Sequence, residues 1–498
     1  MSSVSMSHSE NNSKSESGRM SSHMNPGMQN GTHNNMSGSV NGIQGQGSGQ
    51  RPAGALQRQL VQMLDYEQLM NCMRCGFCQP SCPTFQETGL EAASPRGRIA
   101  LMKAVADGLM EPDAAFKQQM DLCLGCRACE PVCPSDVKYG QLLEQTREVL
   151  FEHTEAQPGT VPLRRLHKLA KPIFKRHRRL RLMSTILQAY QRTGLQRLAR
   201  RGRMLRWLPQ HMQTMERIMP PADSRGVVKR AGGHRFPAKG ECIGTVGLFR
   251  GCIMDVLFTE TNVNTVRLLT EAGYDVVIPE EQSCCGALFS HSGNRKTALE
   301  FAMQNVKAFR EADVDYIASN AGGCGATLIE YDHLLAEEAE WAEPARRFSK
   351  QVKDISELLL RSGRWNALAA PAKPASAAES GSSVTVTYQD SCHLRNVMRA
   401  GDSPRRLLRM MPDTKFVELE GAEICCGSAG IYNLVQPQMA NAILDARMEA
   451  VEDTKASVIL TSNPGCLLQM KAGVEREQAH DRIQVMHIVD YFAEKVLR

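Results

Sequence analysis

From about Leu56 onward, apolar residues recur at helical spacing, with Leu60, Met63 and Leu64 leading into a cysteine-rich run. Ser94-Pro95 has the form of an N-cap followed by proline at the first helical position. Ile99, Leu101, Met102, Val105 and Leu109 then continue one apolar face, and a later helix carries Leu142, Leu143, Val149 and Leu150. Past residue 240 the pattern changes. Apolar runs at Ile243–Phe249, Asp275–Ile278 and Tyr316–Ser319 predict strands, separated by helical stretches at about 255–272 and 296–311. Such alternation predicts an α/β unit with a parallel sheet. Residues 1–54 lack periodicity and aromatic side chains, cannot bury enough surface to offset ordering, and are predicted to be a disordered tail.

The second half repeats. Val384–Tyr388 precedes Cys392 as Ile243–Phe249 precedes Cys252. Cys284-Cys285-Gly286 has its counterpart in Cys425-Cys426-Gly427, and Cys324 in Cys466. The four matched cysteines are offset by 140, 141, 141 and 142 residues, which predicts a duplicated domain. The predicted fold is mixed: a helical domain at 55–152, a basic helical linker at 153–240, and α/β units at 241–370 and 384–498. A Pro-, Ala- and Ser-rich joint at 371–383 separates the two units.

Length and charge narrow the class. The 498 residues suffice for several domains. No apolar run reaches the length of a spanning helix, and the first residues carry no continuous apolar core of a signal peptide. Seventeen cysteines without an export signal point to a reducing cytoplasm, where thiols bind metal rather than form disulfides. The net charge of +6 is unevenly spread: residues 161–207 hold fifteen Lys and Arg and no Asp or Glu. Leu163, Leu166, Leu169, Ile173, Leu180, Leu182, Ile186 and Leu187 are threaded among these cations. Two readings stay open: docking to anionic lipid or an acidic partner, or a solvated face over packed helices. Nucleic acid is disfavoured, because aromatic residues are sparse there and no recognition motif appears.

The chemistry lies in the cysteines. Cys72, Cys75, Cys78 and Cys82-Pro83 have the spacing C-x2-C-x2-C-x3-C-P, and Cys123, Cys126, Cys129 and Cys133-Pro134 repeat it 51 residues later. Three thiolates two residues apart wrap one face of a cubane, and the fourth reaches a second cluster. Two copies predict two [4Fe–4S] clusters, one on Cys72, Cys75, Cys78 and Cys133, the other on Cys123, Cys126, Cys129 and Cys82. Flanking helices and the wide separation of the runs favour an α-helical ferredoxin. Arg96 and Arg98 lie between the runs; a cation near a cluster would raise its potential, while both also suit a solvated helix start. In each α/β unit the cysteines fall just after predicted strands and so converge on one sheet edge, as Cys252, Cys284, Cys285 and Cys324, and as Cys392, Cys425, Cys426 and Cys466. His291, His333 and His393 lie near these positions, more often the mark of ordinary packing than of ligands.

The repeated Cys-Cys-Gly units resemble the cysteine-rich CCG domain of heterodisulfide reductases and related dehydrogenase subunits. That family's full motif ends in C-x2-C; here Ala321 and Asn463 stand where one cysteine of each pair is expected. Four thiolates per copy leave open a further iron–sulfur centre or a reducible dithiol. Together with Cys72-Met-Arg-Cys-Gly-Phe-Cys, Ser94-Pro-Arg-Gly-Arg-Ile and Cys123-Leu-Gly-Cys-Arg-Ala-Cys, the chain resembles the iron–sulfur subunits of glycolate oxidase over about residues 60–498. The resemblance implies an electron-transfer subunit, with flavoprotein partner subunits oxidising glycolate and a quinone or soluble carrier as acceptor. It also implies a cytoplasmic protein, with peripheral contact at the inner membrane. Iron–sulfur subunits of lactate or anaerobic glycerol-3-phosphate dehydrogenases, and a heterodisulfide-reductase-like thiol–disulfide enzyme, are the alternatives.

Overall fold

The computed structural model describes residues 54–153, 163–202, 204–370 and 383–497. The expected tail and the joint at 371–383 therefore fall almost wholly outside the described residues.

The first described elements are helical: α1 (Ala55–Met63), α2 (Tyr66–Met70), α3 (Pro83–Thr88), α4 (Pro95–Ala106), α5 (Ala114–Leu122) and α6 (Tyr139–His153). Their starts follow from local chemistry. The side chains of Asp65, Ser94 and Asp113 accept from backbone N–H groups of the helices they precede, satisfying donors that the first turn leaves free. The apolar periodicity then closes one core, in which Leu60, Met102, Val105, Phe116, Met120, Leu142 and Val149 are buried. Leu109 departs from expectation: α4 stops at Ala106, Gly108 takes φ +74°, and Leu109 is left on the surface.

Two sheets follow. The first comprises β1 (Arg235–Phe236), β2 (Thr245–Leu248), β3 (Asp275–Val277), β4 (Tyr316–Ser319) and β5 (Val352–Asp354), in the order β1-β3-β2-β4-β5. All its pairings are parallel except β1 with β3. The second, of β6 (Val384–Tyr388), β7 (Thr414–Phe416), β8 (Val458–Thr461) and β9 (Gln484–His487), is parallel throughout in the order β7-β6-β8-β9. The helical stretch expected at 255–272 is divided into helices at 253–256 and 259–271. The two sheets share one apolar core: Val246, Leu248 and Trp365 are buried with Val386, Tyr388 and Phe492. Trp365 meets Phe492 edge-on at 4.8 Å.

The basic segment forms α7 (Leu163–Phe174), α8 (His177–Arg192), α9 (Leu195–Arg201), a 3-10 turn at 204–207 and α10 (Gln210–Ile218). It is packed rather than a free spacer. Ile173, Phe174 and Leu180 join the core of the first sheet unit, and Met215 and Ile218 join that of the second.

Candidate redox centres

The two cysteine loops of the helical domain have the same backbone. Arg74 and Gly76 take φ of +57° and +94°, and their counterparts 51 residues on, Gly125 and Arg127, take +64° and +58°. The turn bonds also repeat: Gln79 N–H to Gly76 and Cys82 N–H to Gln79 are matched by Glu130 N–H to Arg127 and Cys133 N–H to Glu130. Non-glycine residues held at positive φ carry a conformational cost that the surrounding fold must offset, and such positions gather at binding sites. Pro83 then begins α3 directly after Cys82, which carries the fourth cysteine away from its own loop.

Cys72, Cys75, Cys78 and Cys133 line one cavity together with Cys129 of the other run, walled also by Ile99, Val137 and Tyr139. Cys75 is exposed, and Cys72, Cys78 and Cys133 are half-buried. Cys82, Cys123, Cys126 and Cys129 are all buried. Burial pushes the Cys126 and Cys129 thiols well up, and their negative neighbours, Cys123 and Cys82 among them, add to this. Cys123 goes the other way. Burial would raise it, but the Arg98 and Arg147 guanidinium groups and the Tyr139 hydroxyl, which donates at 3.4 Å, bring it below the ordinary thiol range.

Arg98 is fully buried. Its Nε donates to the Gln119 carbonyl at 2.8 Å and its Nη2 to Thr84 Oγ1 at 3.0 Å; neither partner is charged. The acidic groups facing it are the Cys123 and Cys82 thiols and the Tyr139 hydroxyl, which raise its pKa against burial. A buried cation without a carboxylate is costly, so a set of thiolates carrying net negative charge suits this position. Arg96, two residues earlier, turns outward to Glu91 at 2.7 Å and donates to the Arg74 carbonyl at 3.0 Å. The cavity, the doubled loop and the buried cation all fit an iron–sulfur cluster. Among the described residues, no three His, Cys, Asp or Glu side chains are arranged around a single metal ion.

In each sheet unit the four cysteines come together. Cys252 caps the helix at 253–256, Cys284 and Cys285 occupy the loop after β3, and Cys324 lies in the helix at 322–329. Cys284 touches Cys252 and Cys285, and Cys285 touches Cys324. In the second unit Cys425 touches Cys392 and Cys426, and Cys426 touches Cys466. The thiol favoured as thiolate is Cys285 in the first set and Cys425 in the second, each by hydrogen bonds from its two neighbours. The glycine that follows each pair has a steric cause. Gly286 and Gly427 take φ of +90° and +87°, and a Cβ there would lie 3.3 Å from Ala298 Cα and 2.7 Å from the Ala440 carbonyl oxygen. Cys242 is exposed and belongs to neither set.

The residues at the missing cysteine positions differ. Ala321 is simply buried. Asn463 bridges the two units: its Nδ2 donates to Cys466 Sγ at 3.5 Å and its Oδ1 accepts from Gly323 N–H at 3.1 Å. Cys324 accordingly packs in one apolar cluster with Cys426 and Cys466.

The second unit also grips the Cys123–Cys129 loop. Asn396 Nδ2 donates to the Cys126 carbonyl at 2.9 Å, Tyr432 to the Leu122 carbonyl at 2.8 Å, and His393 Nε2 lies 3.0 Å from the Gly125 carbonyl. Cys126 and Cys425 share an apolar cluster with Leu124 and Ile443. The first unit reaches the helical domain through Arg147, which donates to the His291 carbonyl at 3.0 Å, and through Glu144, which receives Ser290 and His291 at 3.0 and 2.8 Å. The His291 and His393 rings stand 5.3 Å apart, whereas His333 is exposed. Asn396, Tyr432 and Arg147 carried no sequence signal, since each acts on a backbone far along the chain.

Comparison with known proteins agrees with this organisation. Residues 68–137 match the model of a 4Fe-4S dicluster domain, and residues 246–329 and 386–471 each match that of a cysteine-rich domain. Residues 162–219 match the linker region of the glycolate oxidase iron-sulfur subunit. The chain is 47% identical over 445 residues to a probable glycolate oxidase iron-sulfur subunit of Bacillus subtilis, covering 88% of this chain and 96% of that protein. It is 30% identical over 420 residues to the glycolate oxidase iron-sulfur subunit of Escherichia coli, covering 82% and 91%. Lactate utilization protein A of Geobacillus thermodenitrificans is 31% identical over 245 residues, 49% of this chain and 97% of that protein.

Proposed function

The chain belongs to the family of glycolate oxidase iron–sulfur subunits, and from that premise we propose that it carries electrons within a complex oxidising glycolate to glyoxylate. Flavoprotein subunits of that complex would bind the 2-hydroxy acid and take its hydride; in this chain no G-x-G-x-x-G fingerprint follows a strand. Cys72, Cys75, Cys78 and Cys133 hold one [4Fe–4S] cluster, and Cys123, Cys126, Cys129 and Cys82 hold the other. When bound, such clusters take up and release single electrons, which splits the pair a flavin delivers.

The observation that carries this reading is the unbroken succession of cysteine sets. The outer set has Cys75 at the surface, the inner set is buried, and Cys126 of the inner set packs with Cys425 of the second cysteine-rich unit. Cys426 and Cys466 in turn share a core with Cys324 of the first unit. Close succession suits electron transfer over short steps. The four thiols of each cysteine-rich unit supply either a further iron–sulfur centre or a reducible dithiol. The acceptor is a quinone or a soluble electron carrier. Among the described residues no helix is long and apolar enough to cross a membrane.

Iron and acid-labile sulfide analysis of anaerobically purified protein tests the cofactor. Two four-iron clusters require at least about eight of each per chain, and about four would refute the assignment. Paramagnetic resonance of the assembled complex tests the substrate: glycolate should reduce the clusters and lactate should not. The lactate reading is the second choice, favoured by the relatives that match half of the chain. The match of residues 162–219 to the glycolate oxidase linker favours the first.

A further inference from the structure

The linker helices present a face that none of the cysteine sets uses. α8 turns His177, Leu180 and Ser184 inward; His177 Nδ1 meets Asp255 Oδ2 at 3.0 Å, and Leu180 enters the core of the first sheet unit. The opposite side of α8 leaves Leu182, Met183 and Ile186 exposed. These residues adjoin at helical spacing, so they form one stripe. α9 packs beside α8 and adds exposed Leu195 and Leu198, and the turn after it ends on Trp207, which is 92% exposed. Apolar surface of this extent marks an interaction site.

The charge carried by α8 and α9 themselves is all positive, and of it Arg200 is paired with Glu216 of α10 at 2.9 Å. Arg178, Arg179, Arg192, Arg197 and Arg201 are exposed along the same elements. Arg178 has only a 3.6 Å pair with Glu280. Arg192, Arg197 and Arg201 have no carboxylate within ion-pair reach among the described residues. Folding thus anchors one side of the linker and leaves the other as aliphatic residues, one tryptophan and unneutralised arginines. That composition suits a helix lying in a lipid headgroup layer, with aliphatic side chains at the acyl boundary and guanidinium groups on phosphates.

We propose that the outward face of α8, α9 and Trp207 docks on an anionic phospholipid surface. Docking rests on the proposed delivery of electrons to a quinone for its purpose, but not for its test. Vesicle binding succeeds or fails whether or not the chain passes electrons, and loss of electron transfer alone would count only against the earlier reading. The full chain with its clusters loaded is sedimented with phosphatidylcholine vesicles, and with vesicles containing about one-third phosphatidylglycerol. Binding should be at least about tenfold tighter on the anionic vesicles and weaken with salt. The emission should shift to the blue on binding, and this shift should be lost in Trp207→Phe, because Trp365 is buried in either state and Trp341 packs half-buried against the core of the first sheet unit. Ile186→Asp should abolish binding. The triple variant Arg192→Gln, Arg197→Gln, Arg201→Gln should weaken it about a hundredfold. Unchanged iron content of the variants verifies their fold. Equal partition onto neutral and anionic vesicles, an unshifted Trp207, or wild-type binding by Ile186→Asp would overturn the proposal. So would failure to bind any vesicle, the result expected if an acidic protein subunit covers this face.

Discussion

Replacing Arg98 by methionine removes a buried positive charge beside Cys82 and Cys123 while keeping most of the side-chain volume. Its two hydrogen-bond partners, the Gln119 carbonyl and the Thr84 hydroxyl, are neutral, so the charge is balanced by the cysteine set alone. At an effective dielectric constant of about 20, a unit charge within a few ångströms of a bound cluster contributes on the order of 3 kcal/mol. For a one-electron couple that corresponds to about 120 mV. Reduction adds negative charge, so the cation favours the reduced form. The potential of the cluster proposed for Cys123, Cys126, Cys129 and Cys82 should therefore fall by about 100 mV in Arg98→Met. The other cluster should shift far less. A redox titration followed by electron paramagnetic resonance reads both, and Arg98→Lys, which keeps the charge, should restore most of the loss. Unchanged potentials in Arg98→Met with full iron content would refute the reasoning, because they would mean that the guanidinium charge is neutralised elsewhere.

Three further outcomes follow from local geometry. Gly427→Ala forces a residue at φ +87° to place its Cβ 2.7 Å from the Ala440 carbonyl oxygen. It should cost on the order of 3 kcal/mol, more than Gly286→Ala, and the reverse order of urea midpoints would refute the steric account. His177 is held neutral, its pKa depressed to about 4 by burial and by the nearby Arg250 charge. A depressed native pKa stabilises the fold above the unfolded value of 6.5 and loses that contribution as pH falls toward 4. Between pH 7.5 and 5 the loss should reach about 2 kcal/mol, and His177→Gln should flatten it; parallel pH profiles of the two proteins would count against the assignment. Asn463→Ala leaves Gly323 N–H without its side-chain acceptor and should cost about 1–2 kcal/mol. Hydrogen exchange at Gly322 and Gly323 should quicken, and an unaltered rate would mean that the bridge does not hold the two units together.

Much of the molecule follows from local rules. Each C-x2-C-x2-C-x3-C-P run is short enough that its own turn bonds, with proline ending it, dictate the loop, and so the two loops agree bond for bond. Ser94-Pro95 starts a helix because a hydroxyl acceptor and a fixed φ act within one turn. Thr245–Leu248 and Val384–Tyr388 announced themselves as apolar runs buried between layers. Val352–Asp354, Thr414–Phe416 and Gln484–His487 did not, since Lys353, Lys415 and Gln484 interrupt any such run. Only pairing with distant strands makes them extended.

The sequence by itself placed the chemistry: sixteen cysteines in four sets, two of them in runs with iron–sulfur spacing, and the duplication that made the other two. Tertiary structure decided the order and the surroundings of those sets. Arg96 and Arg98 are both arginines of one helix start, and spacing cannot say which meets a thiolate. Packing of α4 against α5 buries Arg98 and leaves Arg96 on Glu91. Likewise, only the fold puts Cys126 beside Cys425, almost 300 residues apart, and sends Leu180 inward but Leu182 outward. The reason is physical. Spacing constrains what touches within a few turns of chain, whereas burial, and with it the environment of every buried charge and thiol, depends on faces contributed from elsewhere.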